Sequence, residues 1–93
     1  MIEPASSSEQ HDRDRKPDIA FGVVVRRYRT ERELTQEQVS WNTGMSRVYI
    51  SELERGLREP GLGTILKLAQ CFGVQASEII AAVEQELTKK GRR

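Results

Sequence analysis

The sequence predicts an all-α chain, a compact bundle of five short helices, and three observations carry that prediction. Apolar residues recur at three- and four-residue intervals in several separate stretches, the period of a half-buried helix. No stretch alternates apolar and polar residues for long enough to suggest a strand. Residues that start or stop helices divide the apolar stretches into short pieces.

The elements follow in order. Residues 1–16 (MIEPASSSEQHDRDRK) are almost free of apolar side chains and show no period, so they read as a disordered tail. Pro17-Asp18 then reads as a helix start, with Asp18 a plausible N-cap. Phe21, Val24, Val25 and Tyr28 carry a first helix to about Arg32. Thr35 followed by Gln38 is a capping box that opens a second helix, with Val39 inward. Gly44 ends it, because glycine takes the left-handed conformation without steric cost. Ser46 caps a third helix that turns Ile50 and Leu53 inward and stops at Gly56. After the LREPGLG connection at 57–63, a fourth helix covers about Leu62 to Phe72 and closes at Gly73. A fifth begins near Ala76 and runs through Ile79, Ile80, Val83 and Leu87. The domain is therefore expected at 17–88, followed by a basic tail at 89–93.

Composition bounds the function. Ninety-three residues, 37% apolar and 31% charged, suit one small polar domain near the lower limit of core size. A single cysteine, Cys71, excludes a disulfide framework, and one Cys with one His cannot build a structural zinc site. No metal or cofactor is expected. There is no membrane-length apolar run and no signal-peptide pattern, so the expected location is the reducing cytoplasm. An enzyme has little to work with: no nucleophile–base pair, no glycine-rich phosphate loop, and only His11, in the tail.

The net charge of +1 conceals an uneven distribution. Residues 19–58 carry seven arginines against five acids, and 59–88 carry only Lys67 against four glutamates. The tail supplies Lys89, Lys90, Arg92 and Arg93. A local basic face is compatible with these counts; a uniformly basic coat is not.

The stretch Gln36–Arg55 carries the function. It reads as a helix, a short turn containing Gly44, and a second helix, with Val39, Ser40, Thr43, Met45, Ile50 and Leu53 on the inner side. Ser40 is small where the two helices must approach closely. This is helix-turn-helix geometry, in which the second helix lies in a DNA major groove.

At these residues the chain resembles the lambda-repressor-like, Cro/XRE-type helix-turn-helix family. The similar words are FGxxVRxxR at 21–29, LTQEQ at 34–38, TGMSRxYIS at 43–51 and LERG at 53–56. PGLGTILKLA at 60–69 and FGV at 72–74 continue the likeness, which spans about residues 19–80. The R-x-Y-I-S pattern of the third helix also resembles members that control restriction–modification operons. Three positions depart from the family pattern. Glu33 stands where a glycine is usual, at a cost of about 1 kcal/mol if the residue is left-handed. Gly61 replaces a capping serine, and Trp41 occupies a normally polar, outward position.

The resemblance implies a double-stranded-DNA reader whose recognition helix begins at Ser46. Arg47 is expected to donate both guanidinium arms to a guanine, worth roughly 1–3 kcal/mol of discrimination; the alternative is a solvated surface arginine. Val48 and Tyr49 lie beside it, Tyr49 either touching DNA or packing over the second helix. Glu52 is either a base-specificity filter that suits a cytosine amino group or a solvated side chain. Gln36, Arg55 and Arg58 are the phosphate candidates. Trp41 either joins them through its indole N–H or contacts a protein partner. Arg29 and Glu54 are expected to form a structural ion pair. Ile80, Val83 and Leu87 are expected to extend into a homodimer interface, since such readers bind half-sites about 34–36 Å apart as dimers. The competing reading is a protein-interaction or antitoxin-like adaptor that uses the same scaffold.

Overall fold

The computed structural model describes residues 7–91, with side chains from Arg15 to Lys89. Five helices follow one another: α1 Ser7–Glu31, α2 Gln36–Thr43, α3 Arg47–Glu54, α4 Leu62–Phe72 and α5 Ala76–Gly91. No strand occurs among the described residues. Helix α1 packs against α3 and α5, while α4 closes the other side against α2 and α5.

The core is the sum of the helix stripes. Val24 and Val25 of α1, Val39 of α2, Ile50 and Leu53 of α3, Leu68 of α4 and Ile79 of α5 are all essentially inaccessible. Each aliphatic side chain of this kind stabilises the fold by about 1.5–3 kcal/mol through removal from water. Phe21, Ala69, Phe72 and Val83 complete the cluster.

Helices α1 and α3 approach closely at Gly22. A Cβ there would stand 2.5 Å from the Leu53 carbonyl oxygen and 2.6 Å from that of Glu54. Only a residue without a side chain lets α1 lie this near the end of α3. The face of α1 thus sets the depth at which α3 sits in the bundle.

Two ends differ from the sequence expectation. Helix α1 starts at Ser7, so Pro17-Asp18 lies inside it and Asp18 is not its N-cap. The stretch from Ser7 to Lys16 contains neither glycine nor proline, whereas Pro17 removes the amide that would bond four residues back and crowds the carbonyl there. Residues 7–16, read from the sequence as part of a tail, form the first part of α1 here; residues 1–6 lie outside the described residues. At the other end α5 continues to Gly91, because no helix breaker precedes that glycine. Lys89 reaches back to Glu86 at 3.8 Å. The basic tail begins within the helix, and residues 92–93 lie outside the described residues.

Candidate nucleic-acid interface

The α2–α3 pair is held by local hydrogen bonds that the sequence specifies. The Thr35 hydroxyl accepts from the Gln38 amide at 3.0 Å, and the Gln38 side chain accepts from the Thr35 amide at 2.9 Å, closing the capping box. Gly44 ends α2 at φ 77°, where its amide donates to the Ser40 carbonyl at 2.8 Å. The Ser40 hydroxyl donates across the turn to the Met45 carbonyl. Thr43 donates to the Val39 carbonyl at 2.7 Å and accepts from the Met45 amide at 3.2 Å. Small hydroxyl residues thus satisfy the turn's backbone while keeping the two helices close.

Ser46 caps α3, its hydroxyl accepting from the Tyr49 amide at 3.1 Å. Ile50 and Leu53 anchor the inner side of the helix in the core. The outer side then presents Arg47, Val48, Glu52 and Arg55. Val48 is 57% exposed, unusual for a branched aliphatic side chain in so small a domain.

Behind this face runs a chain of polar contacts. Arg47 Nη1 donates to Gln36 Oε1 at 3.5 Å, and Gln36 Nε2 donates to Glu54 Oε1 at 3.0 Å. Glu54 in turn accepts from Arg29 Nε and Nη2 at 2.6 and 3.0 Å. The side chains of the Arg29–Glu54 pair are only 13% and 4% exposed. Hydrogen bonding to Glu54 raises the Arg29 pKa above its already high ordinary value, against the opposing effect of burial. The fixed charge therefore persists across the whole physiological range.

The remaining candidates divide into engaged and free side chains. Tyr49 is half-buried, and its hydroxyl lies 3.0 Å from Thr64 Oγ1 on α4, so it packs toward α4 rather than over α2. Arg58 donates to Glu52 at 3.0 Å and stacks over the Tyr49 ring at 5.2 Å. Arg55 is exposed, with no side-chain hydrogen bond or ion pair among the described residues. Trp41 projects from α2 and is 70% exposed.

The three residues expected at a dimer interface do not share one environment. Val83 is buried in the chain's own core, and Leu87 packs against that core. Only Ile80, 41% exposed, offers an open apolar surface. The physical reason is the packing of α5 against α1 and α4, which covers Ile79 and Val83 within the chain. Val83 is therefore withdrawn from the interface set.

Several contributors escaped the sequence reading. Thr64 is one, and nothing in its local pattern marks it as a partner of Tyr49. Arg27 is another: it pairs with Glu86 at 3.0 Å, joining α1 to α5. Here a signal existed, because Glu86 falls on the buried stripe of Ile79 and Val83, where a carboxylate requires a partner. Arg32 is a third, donating to the Phe72 carbonyl at 2.9 Å and lying over the Tyr28 ring at 5.0 Å. Cys71 is only partly buried, with the Asn42 amide 3.8 Å from its sulfur. Among the described residues no group of three or more His, Cys, Asp or Glu side chains is placed to hold a metal. No single helix among them is long and apolar enough to cross a membrane.

Comparison with known proteins places this geometry among relatives. A helix-turn-helix family model matches residues 25–79. The uncharacterised HTH-type transcriptional regulator y4dJ of Sinorhizobium fredii is 42% identical over 64 residues, covering 69% of this chain and 83% of that protein. The control protein C.BamHI of Bacillus amyloliquefaciens is 33% identical over 63 residues, covering 67% of this chain and 78% of that protein. The crystal structure of the restriction–modification controller protein C.AhdI from Aeromonas hydrophila superposes with a TM-score of 0.65 at 35% identity. That match covers 67% of this chain and 94% of C.AhdI. With a family model matching more than half of the chain and relatives at this level of identity, the chain belongs to the Cro/XRE-type helix-turn-helix family of transcriptional regulators.

Proposed function

We propose that this protein is a sequence-specific, double-stranded-DNA-binding transcriptional regulator of the repressor-like, controller type, acting in the cytoplasm by binding alone and without catalysis. Residues 17–88 form the DNA-binding domain. The carrying observation is the outer face of α3, where exposed Arg47 and Val48 stand in the first turn behind the Ser46 cap. Arg47 reads a guanine, Val48 meets a thymine methyl, and Ser46 and Tyr49 flank them. Gln36 at the start of α2, with Trp41, Arg55 and Arg58, grips the phosphates and fixes the register. Two copies bind two half-sites, with Ile80 and the outer edge of Leu87 at the contact. Kinship with C.AhdI, described as a restriction–modification controller, supports the controller reading.

Selection of binding sites from random duplexes at two salt concentrations tests this reading. A recovered motif of two related half-sites, with affinity falling as a power of salt, is the expected result. Sedimentation tests the dimer: monomer alone at micromolar concentration, with and without the selected duplex, removes it. The large exposure of Trp41 favours a second reading, an adaptor or antitoxin-like module that binds a protein. Failure to select any duplex, with a folded protein, would leave that reading standing.

A further inference from the structure

Arg58 stands at the centre of a side-chain cluster that joins the loop after α3 to α3 and α4. Its Nη1 donates to Glu52 Oε1 at 3.0 Å, and its guanidinium lies 5.2 Å from the Tyr49 ring centroid. The Tyr49 hydroxyl is 3.0 Å from Thr64 Oγ1. One side chain from the loop after α3 is thereby clamped between an outer carboxylate of α3 and a ring anchored to α4. The Arg58 side chain remains 54% exposed and that of Glu52 28%.

We propose that Arg58 is a specificity-determining residue that acts through Glu52, which deepens the DNA-reading assignment above and rests on it. An unpaired carboxylate on the face that meets DNA repels every phosphate near it. Paired with Arg58, the same carboxylate is neutralised and held in one orientation. One oxygen accepts from the guanidinium and the other stays available to accept from a cytosine amino group. A guanidinium carries five N–H donors, so Arg58 holds Glu52 and still has donors for the nucleic acid. The Tyr49 ring and Thr64 keep the guanidinium at the edge of α3. Arg58 is then more than an independent phosphate contact: its contribution depends on the carboxylate beside it.

The test is a double-mutant cycle on the full chain, using the duplex selected by the wild type, with base preference read by repeated selection. Thermal melts confirm that each variant is folded. Arg58→Ala is expected to weaken binding by about tenfold or more and to relax preference at one base pair in each half-site. Glu52→Gln is expected to alter preference at that same base pair. In the double variant the affinity should recover at least about threefold over Arg58→Ala alone, because the uncompensated carboxylate is gone. Arg58→Lys, which keeps the charge without the planar fork, should also lose preference at that base pair. Equal losses from Arg58→Ala with either Glu or Gln at position 52, uniform over all sequences, would overturn the inference. So would a lysine variant that selects the wild-type motif unchanged. A wild type that selects no duplex removes the DNA-reading assignment together with this inference; additive substitutions in a selecting protein remove the inference alone.

Discussion

Arg29 and Leu34 bond to each other in both directions. The Leu34 amide donates to the Arg29 carbonyl at 3.1 Å, and Arg29 Nη1 donates to the Leu34 carbonyl at 2.8 Å. The same guanidinium makes its two bonds to Glu54 at the end of α3. One side chain thus ties the α1–α2 turn, which delivers the chain to the Thr35 cap, to the last turn of the candidate recognition helix. This part-buried cation joins the Gly22 contact and the shared core in holding α3 against α1.

Removing it should therefore cost folding before it costs specificity. Arg29→Ala leaves Glu54 buried without its main partner, and loss of one member of a buried pair typically costs about 3–5 kcal/mol. For a domain of this size each kcal/mol lowers the melting temperature by about 4–8 °C. We expect Arg29→Ala to melt more than about 10 °C below the wild type, and its loss of DNA binding to track the unfolded fraction. A variant that melts normally yet fails to bind would show a direct role in recognition. The sign of the pH effect follows from the raised Arg29 pKa. A cation stabilised in the folded state contributes fully below its unfolded value and loses that contribution only as pH rises through the folded one. The Arg29 contribution should consequently be unchanged between neutral and mildly alkaline pH.

Gly22 and Gly63 should respond oppositely to the same substitution. At Gly22 an added Cβ meets two backbone carbonyl oxygens of α3, which cannot turn aside. Gly22→Ala should destabilise by about 1–3 kcal/mol, as overpacking does elsewhere. At Gly63, inside α4, nothing lies within 4 Å of the added atom. Gly63→Ala should stabilise by about 0.5–1 kcal/mol through the better helix propensity of alanine. Thermal melts of the two variants, run side by side, decide the point, and equal shifts would contradict the packing of α1 on α3.

Arg47→Ala should leave the melting temperature within a few degrees of the wild type, since the side chain is exposed and its one contact, to Gln36, is 3.5 Å long. In the selected duplex it should reduce discrimination at one guanine by roughly 1–3 kcal/mol while leaving binding to random DNA much less affected. An Arg47→Ala protein that selects the wild-type motif at full strength would move base reading elsewhere on α3.

These expectations show which parts of the molecule the sequence announces. Local chemistry is legible: the Thr35 box, the Gly44 turn and the Ser46 cap each depend on residues within four positions of one another, and all are present. The inner side chains of α3, Ile50 and Leu53, follow from helical period, whereas α2 offers Val39 alone. Longer-range pairings are less legible. Glu52–Arg58 and Tyr49–Thr64 depend on the path of the 57–61 loop, which no local hydrogen-bonding or periodic signal in the sequence specifies. Likewise, a stripe such as Ile79–Val83–Leu87 looks the same whether it faces its own core or a partner. Only the placement of α1 against α5 reveals that Val83 is already covered.

Glu33 provides a last test, because it holds a left-handed backbone at φ 57° and is the one non-glycine residue among those described to do so. Its own amide donates to the Thr30 carbonyl at 3.0 Å, and the following Leu34 amide reaches the Arg29 carbonyl. The turn is thus fixed by its neighbours, and Glu33 takes the conformation they require. For an L-residue that conformation costs about 1–2 kcal/mol, whereas glycine adopts it freely but is more flexible when unfolded, by about 0.5–1 kcal/mol. Glu33→Gly should therefore raise stability by roughly 0.5–1 kcal/mol. Asparagine, which tolerates the left-handed region better than most residues, should give part of that gain. Valine should do the reverse, since its β-branch makes a positive φ still less favourable. The ordering Gly above Asn above Glu above Val in melting temperature is the expected result. A valine variant as stable as the wild type would mean that the turn relaxes to a different backbone path, and with it the alignment of Arg29 on Leu34.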